Sequence, residues 1–219
     1  MNHFLKFTTF STVLLLLVLP ATLEAQQWSR FWKPGQLILL DGDTLTGELR
    51  YDIVNDAVQI RLEDDRIHSY SGKKLLTFSI EEHPRRAVRR FYSLPYQVRG
   101  NYQAQRLFEV LYEGKLTLLC RPYMEHLVDV AYEEEEESGK KKQDPVYEYY
   151  FLQADGSVHL YRPRLGRLLS IMSSRHREIR SYMQDYHLRY DQMRDLVRIT
   201  AYYNALPAAA DREKNFQPE

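Results

Sequence analysis

Period-two hydrophobic alternation, cut at short intervals by turn residues, constrains this chain more than any other feature. Residues 36–40 (QLILL) run into Asp41-Gly42-Asp43, then into 44–51 (TLTGELRY). Asp-Gly between two apolar-rich runs is a strong hairpin signal, because its first residues accept the positive φ of a tight turn. Leu45, Gly47, Leu49, Tyr51 and Ile53 mark one buried face, and Asn55-Asp56 makes the next turn. Val58, Ile60 and Leu62 alternate with Gln59 and Arg61 before Glu63-Asp64-Asp65 turns the chain again. Residues 67–70 and 75–80 are two further short strands. A second hairpin is 107–112, Glu113-Gly114 and 115–120; a third is 146–152, a turn around Asp155-Gly156, and 158–161. The strand 146–152 is apolar on both faces, so cover on both sides is expected. This spacing predicts an antiparallel β-sandwich or a partly open barrel over residues 35–161.

After Arg162-Pro163 the period becomes helical. Leu165, Leu168, Leu169 and Met172 fall at i, i+3, i+4 and i+7, with Pro163 suited to a first turn. Ser174 is placed to cap a second helix bearing Ile179, Tyr182, Met183 and Tyr186 on one face. Asp191 is placed to cap a third with Met193, Leu196, Val197 and Thr200 aligned, and Pro207 stops it. Strands followed by helices define an α+β fold, with a C-terminal helical subdomain over 164–206. Residues 207–219 lack periodicity and are expected to form a mobile tail. Whether the helices pack on the sheet is left open by the pattern.

The first 25 residues read as an address. Lys6 precedes the unbroken apolar run Val13–Leu19, Pro20 breaks it, and Ala25 offers a small residue at the cleavage position. These features predict a secretory signal peptide over 1–25, removed after Ala25. The apolar run is too short to span a bilayer, which takes about 20 residues, and no later segment is long enough as a helix. Residues 133–142 (EEEEESGKKK) carry almost no core-forming content and read as a solvated acidic-then-basic loop. With 30 basic and 30 acidic residues the chain has no chain-wide basic footprint for nucleic acid. Its single cysteine excludes an intramolecular disulfide and a thiolate-rich metal site. In an oxidising compartment Cys120 is therefore expected to be buried.

The stretch 35–49 (GQLILLDGDTLTGEL) resembles the opening hairpin, G-x-I-x-L-x-x-G-D-T-L-x-G-x-I, of a group of uncharacterised exported proteins of Gram-negative bacteria. The likeness continues at 107–119 (LFEVLYEGKLTLL), at the Tyr-rich 147–151 (YEYYF), and at a helical end with Tyr190, Leu196 and Tyr202-Tyr203-Asn204. The acidic insertion at 133–142 departs from that pattern. The resemblance implies an envelope location, periplasmic or associated with the outer membrane, and an all-β core with a helical end. It implies no activity, since the shared motifs are turns, glycines and alternation.

No local pattern carries catalytic chemistry. His68, His83, His126, His159, His176 and His187 show no metal-ligand spacing, and there is no HExxH, G-x-S-x-G, P-loop or dinucleotide glycine pattern. No cofactor is called for. Asp41, Asp43 and Asp52 read as turn formers or, alternatively, as paired carboxylates. Trp28, Phe31 and Trp32 read as aromatics stapling the N-terminal segment to the core, or as a sugar- or membrane-facing cluster. In the second hairpin a two-residue turn would set Cys120 opposite Leu107. It would also put Glu109 on the core face, which calls for a partner or for a bulge in the register. Residues 162–198 hold nine arginines against Glu178, Asp185, Asp191 and Asp195. Such a basic face suits an anionic membrane surface or an acidic envelope partner, and Arg175, Arg177 and Arg180 are its candidate interaction residues. The functional expectation is a non-catalytic exported interaction or assembly module. The alternatives are a small-ligand or glycan binder with a Tyr-rich β-lined pocket, and a hydrolase with a site dispersed in sequence.

Overall fold

A computed structural model of the chain describes residues 32–82, 87–123 and 146–207. The expected signal peptide, the charged loop 133–142, His83, His126, Trp28, Phe31 and all of the tail beyond Pro207 lie outside the described residues. Ten strands are present: β1 (Lys33–Leu39), β2 (Thr44–Asp52), β3 (Ala57–Arg61), β4 (Ile67–Ser71), β5 (Leu75–Glu82), β6 (Ala87–Arg99), β7 (Tyr102–Tyr112), β8 (Thr117–Tyr123), β9 (Val146–Leu152) and β10 (Val158–Tyr161). They form one antiparallel sheet in the order β10-β9-β8-β7-β6-β5-β1-β2-β3-β4. The Asp41-Gly42 turn forms as expected. Gly42 has φ +96°, its N–H donates to the Leu39 carbonyl, and the Asp43 N–H donates to Asp41 Oδ1. Asp52 likewise takes two hydrogen bonds from Asn55, so these aspartates hold turns rather than a carboxylate pair.

The sheet curls back on itself. Neighbouring strands lie about 4.8 Å apart, so β4 and β6 would be more than 20 Å apart in a flat sheet. Yet Ser93 Oγ on β6 donates to the carbonyl of Gly72, just past β4, at 2.7 Å. The first curl encloses Leu37, Leu49, Ile60, Phe78, Phe91 and Leu107, with the Phe78 and Phe91 rings stacked at 4.3 Å. The other half curls towards the opposite face. There Phe108, Leu119 and Tyr150 form a core with Leu94, Tyr96 and Leu160, and the Tyr96 ring on β6 meets Tyr150 on β9 at 5.4 Å. Strands β6 and β7 are shared by both curls, which explains their length.

Three helices follow: α1 (Leu165–Ile171), α2 (His176–Asp185) and α3 (Met193–Ala205), with a short 3₁₀ turn at Ser173–Arg175 between the first two. The chain is thus α+β, and the helices lie on the sheet. Leu168, Met172, Ile179, Leu196 and Ile199 are fully buried against Leu118, Phe151 and Tyr161. At roughly 1.5–3 kcal/mol per fully buried side chain, this packing holds helices of 7 and 10 residues that would not persist alone. The expected caps are not used. Pro163 lies two residues before α1, the residue preceding α2 is Arg175 rather than Ser174, and that preceding α3 is Gln192 rather than Asp191. Asp191 is drawn instead into an ion pair with Arg189, and Asp195 accepts the Arg189 N–H.

Asn204 fastens the helical layer to the β7–β8 hairpin. Its Oδ1 accepts the Leu116 N–H at 3.0 Å, and its Nδ2 donates to the Leu116 carbonyl at 2.8 Å and to the Thr200 carbonyl at 2.9 Å. A side-chain amide here pairs with a backbone as a neighbouring strand would. The approach requires Gly114, where an added Cβ would come within 2.6 Å of Asn204 Oδ1.

Candidate functional site

Two buried ion clusters and one basic surface concentrate the chemistry of the described residues. The first cluster is centred on Asp56 in the β2–β3 turn, at φ +48° and 8% exposed. Its carboxylate accepts a hydrogen bond from Tyr51 Oη at 2.9 Å and faces Arg121 at 3.1 Å and Arg106 at 3.4 Å. The local sequence of β8 prepares the place. Pro122 has no N–H to donate towards β7, and the Leu107 carbonyl takes a hydrogen bond from Arg121 Nε at 3.1 Å instead. The Arg121 guanidinium lies over the Phe108 ring at 5.5 Å. Burial, then the Asp56 carboxylate, pushes the Tyr51 hydroxyl well above its ordinary range, while Arg121 pulls the other way. Burial, the largest single effect, would lower the Arg121 pKa, but the Asp56 carboxylate together with the Tyr51 and Tyr150 hydroxyls outweighs it and the net direction is up. A neutral tyrosine and two fixed cations around one carboxylate make an electrostatic joint between the two curls.

The second cluster is centred on Glu109, the carboxylate the alternation placed on the core face. It is 9% exposed and held by Arg89 through two parallel bonds, Nε to Oε1 at 2.8 Å and a terminal nitrogen to Oε2 at 2.6 Å. Both expected resolutions occur together, since the β7–β8 register also shifts between Val110 and Tyr112. The expected pairing is corrected: the connection is longer than two residues, Tyr112 pairs with Leu118, and past the bulge Cys120 lies opposite Glu109, not Leu107. Cys120 is 1% exposed and its thiol donates to Glu109 Oε2 at 3.7 Å. Burial first, then the neighbouring carboxylate, raises the thiol pKa, so little nucleophilic thiolate forms. Glu82 bridges outwards, bonded to Lys33 at 2.6 Å and to Arg89 at 3.4 Å. No buried side-chain nitrogen or oxygen lacks a partner among the described residues, and none of their His, Cys, Asp and Glu side chains gather as a metal-binding group.

The Tyr-rich strand β9 is spent on packing. Tyr150 Oη donates to Glu148 and its ring meets Phe108 at 5.0 Å, while Tyr149 lies on the opposite face under the helices. Tyr161 Oη donates to the Tyr190 carbonyl. Trp32 is 7% exposed and its ring lies 5.0 and 5.2 Å from the Arg50 and Arg61 guanidiniums, so this aromatic does staple the entry to β1 onto the sheet.

The expected interaction residues divide. Arg177 and Arg180 are exposed on α2 and make no ion pair with a described residue. Arg175 corrects the expectation. It is 7% exposed, paired with Glu178 and donating to the Pro207 carbonyl, so it clamps the end of α3 instead of facing solvent. Of the other arginines in 162–198, Arg189 is paired with Asp191, and Arg198 lies against the Tyr186 ring. Arg162, Arg164, Arg167 and Arg194 are exposed with no ion pair to a described residue. The four acidic groups of this segment are thus mostly consumed by Arg175 and Arg189, and the positive charge is left at the surface.

Fold and clusters together define a curled antiparallel sheet protein with a docked C-terminal helical layer. No family model, no curated protein and no solved structure matches the chain. No helix among the described residues is long and apolar enough to cross a membrane.

Proposed function

We propose that the protein is a non-catalytic interaction or assembly module of the cell envelope, exported on residues 1–25. Its partner is an acidic envelope protein or an anionic membrane surface, met through the exposed arginines of the helical layer. The observation that carries this reading is the pairing pattern. The layer's carboxylates are tied down within it, whereas Arg177 and Arg180 stand on one exposed helical stretch without counter-charge. Unpaired surface cations leave a field that complementary surfaces exploit. The buried carboxylates Asp56 and Glu109 support the same reading, being committed to arginines that fix the fold.

The test is affinity capture from the envelope of the native cell with mass-spectrometric identification, comparing wild type with R177E/R180E. Wild type is expected to retain a defined acidic component that the variant loses. An identical catch from both chains overturns the proposal. Export is tested separately by N-terminal sequencing, which should begin at Gln26; a chain still starting at Met1 contradicts it.

A further inference from the structure

We infer that the groove at the β10–α1 corner is a binding site for a ligand bearing phosphate groups. It stands on different arginines from the interaction face proposed above, so either can fail alone. The groove encloses about 510 Å³ and is lined by His159, Leu160, Arg162, Arg164 and Arg167. That volume lies within the range of small-molecule sites, about 300–1,000 Å³.

Local geometry makes the three arginines converge. Arg164 is extended, with φ −147° and ψ 132°, and it and Arg162 flank the bend at Pro163, both lining the groove. Arg164 immediately precedes α1, and Arg167 falls three residues later on the same side of the helix. Pro163 between the first two fixes its own φ and stiffens the corner. The corner is also anchored from beneath. Tyr161 is 1% exposed, its hydroxyl donates to the Tyr190 carbonyl at 3.0 Å, and Leu168 is fully buried. Leu160 belongs to the core shared with Phe108 and Tyr150, so the floor is fixed. His159 Nε2 shares a hydrogen bond with Ser157 Oγ at 3.0 Å, which orients the ring. The nearby carboxylate, Asp155, is engaged by the Ser157 N–H and hydroxyl at 2.9 and 2.6 Å.

Three guanidinium groups therefore line one concavity without an ion pair to any described carboxylate. The guanidinium fork matches phosphate oxygens two at a time, and three forks match a ligand of charge −2 or more. The phosphate can come from a soluble phosphorylated molecule or from a phospholipid headgroup.

The experiment uses the full chain, its R162Q/R164Q/R167Q variant, and K73Q/K74Q/R99Q, three exposed cations on the sheet, as a charge-matched control away from the helical layer. Pyrophosphate is titrated by calorimetry, and flotation is measured with phosphatidylglycerol vesicles against phosphatidylcholine vesicles. Binding of pyrophosphate, weakened tenfold or more by the triple variant and unchanged in the control, supports the site with a soluble source. Flotation with phosphatidylglycerol only, lost in the triple variant and kept in the control, supports it with a headgroup source. A second variant, R162Q/R167Q, keeps the residue that opens α1 and should show the same loss with unchanged near-ultraviolet circular dichroism. Absence of binding to both probes overturns the inference. So does equal binding by the triple variant, or an equal loss in K73Q/K74Q/R99Q, which would reduce the effect to diffuse positive charge.

Discussion

Replacing Asp56 tests whether its cluster joins the two curls of the sheet. The carboxylate is 8% exposed and has three partners, Tyr51 Oη at 2.9 Å, Arg121 at 3.1 Å and Arg106 at 3.4 Å. Breaking a buried ion pair by removing one partner costs about 3–5 kcal/mol, because the remaining charge is stranded. Here the Arg106 side chain is 33% exposed and can rehydrate, while Arg121, 18% exposed, keeps the Leu107 carbonyl and the Phe108 ring. The lower end of the range applies, about 3 kcal/mol. Asp56 also sits at φ +48°, which aspartate and asparagine tolerate and alanine does not, adding about 1 kcal/mol for Asp56→Ala. The expected losses are therefore about 4 kcal/mol for Asp56→Ala and about 3 for Asp56→Gly, which escapes the backbone strain. Asp56→Asn keeps an acceptor for Tyr51 and the permitted backbone, so it should lose least, about 2 kcal/mol. Urea unfolding with unchanged m-values gives these numbers directly. A loss under about 1 kcal/mol for Asp56→Ala, or an asparagine variant weaker than the alanine one, would refute the joint.

Asn204→Ala strips the hydrogen bonds that satisfy both backbone groups of Leu116. It should cost about 2–3 kcal/mol and raise hydrogen exchange in α3 well before β1–β5; uniform exchange across the chain would contradict the clamp. The hydroxyls of Tyr51, Tyr150 and Tyr161 and the Cys120 thiol are all raised by burial above ordinary values of 10.0 and 9.0. The folded state thus keeps protons that the unfolded chain releases. Stability should be intact below pH 9 and fall as pH rises past 9 and 10, read as a dropping urea midpoint with tyrosinate absorbance appearing on unfolding. A midpoint unchanged up to pH 11 would contradict this. Cys120 should resist thiol reagents in the native state and react at once in denaturant; rapid native labelling would count against its burial.

Local signals carried most of the fold. Asp-Gly and Glu-Gly turns between alternating runs located nine of the ten strands, and the switch to helical spacing after Pro163 located the helices. Strand β6 escaped because Pro95 interrupts it and its first half mixes arginines with aromatics. The proline is tolerated because the register with β5 ends at Tyr92 while that with β7 runs on, leaving one edge of β6 free at Pro95. Glu109 announced itself as a carboxylate on an apolar face, so its cluster was half legible. The Asp56 cluster was not. It depends on the sheet curling far enough to bring a β2–β3 turn against residues 50 and more positions away, and no local pattern encodes that. Arg175 misled for the same reason, since its burial comes from the chain returning past α3 to Pro207. Ser174 and Asp191 have capping chemistry, yet a local ion pair that takes Asp191 and the packing of the helices on the sheet set the helix starts instead.

The interaction role of the helical layer is tested most directly by an association rate. Wild type and R177E/R180E are passed over immobilised envelope vesicles across a salt series, with thermal unfolding as the control on folding. Exposed charge acts mainly on encounter and is screened over about 8 Å at physiological ionic strength. The reversed variant should therefore bind about tenfold more slowly at low salt, converge with wild type at high salt, and unfold at nearly the same temperature. Equal rates for the two chains at low salt would leave Arg177 and Arg180 as ordinary solvated surface and contradict the proposed function.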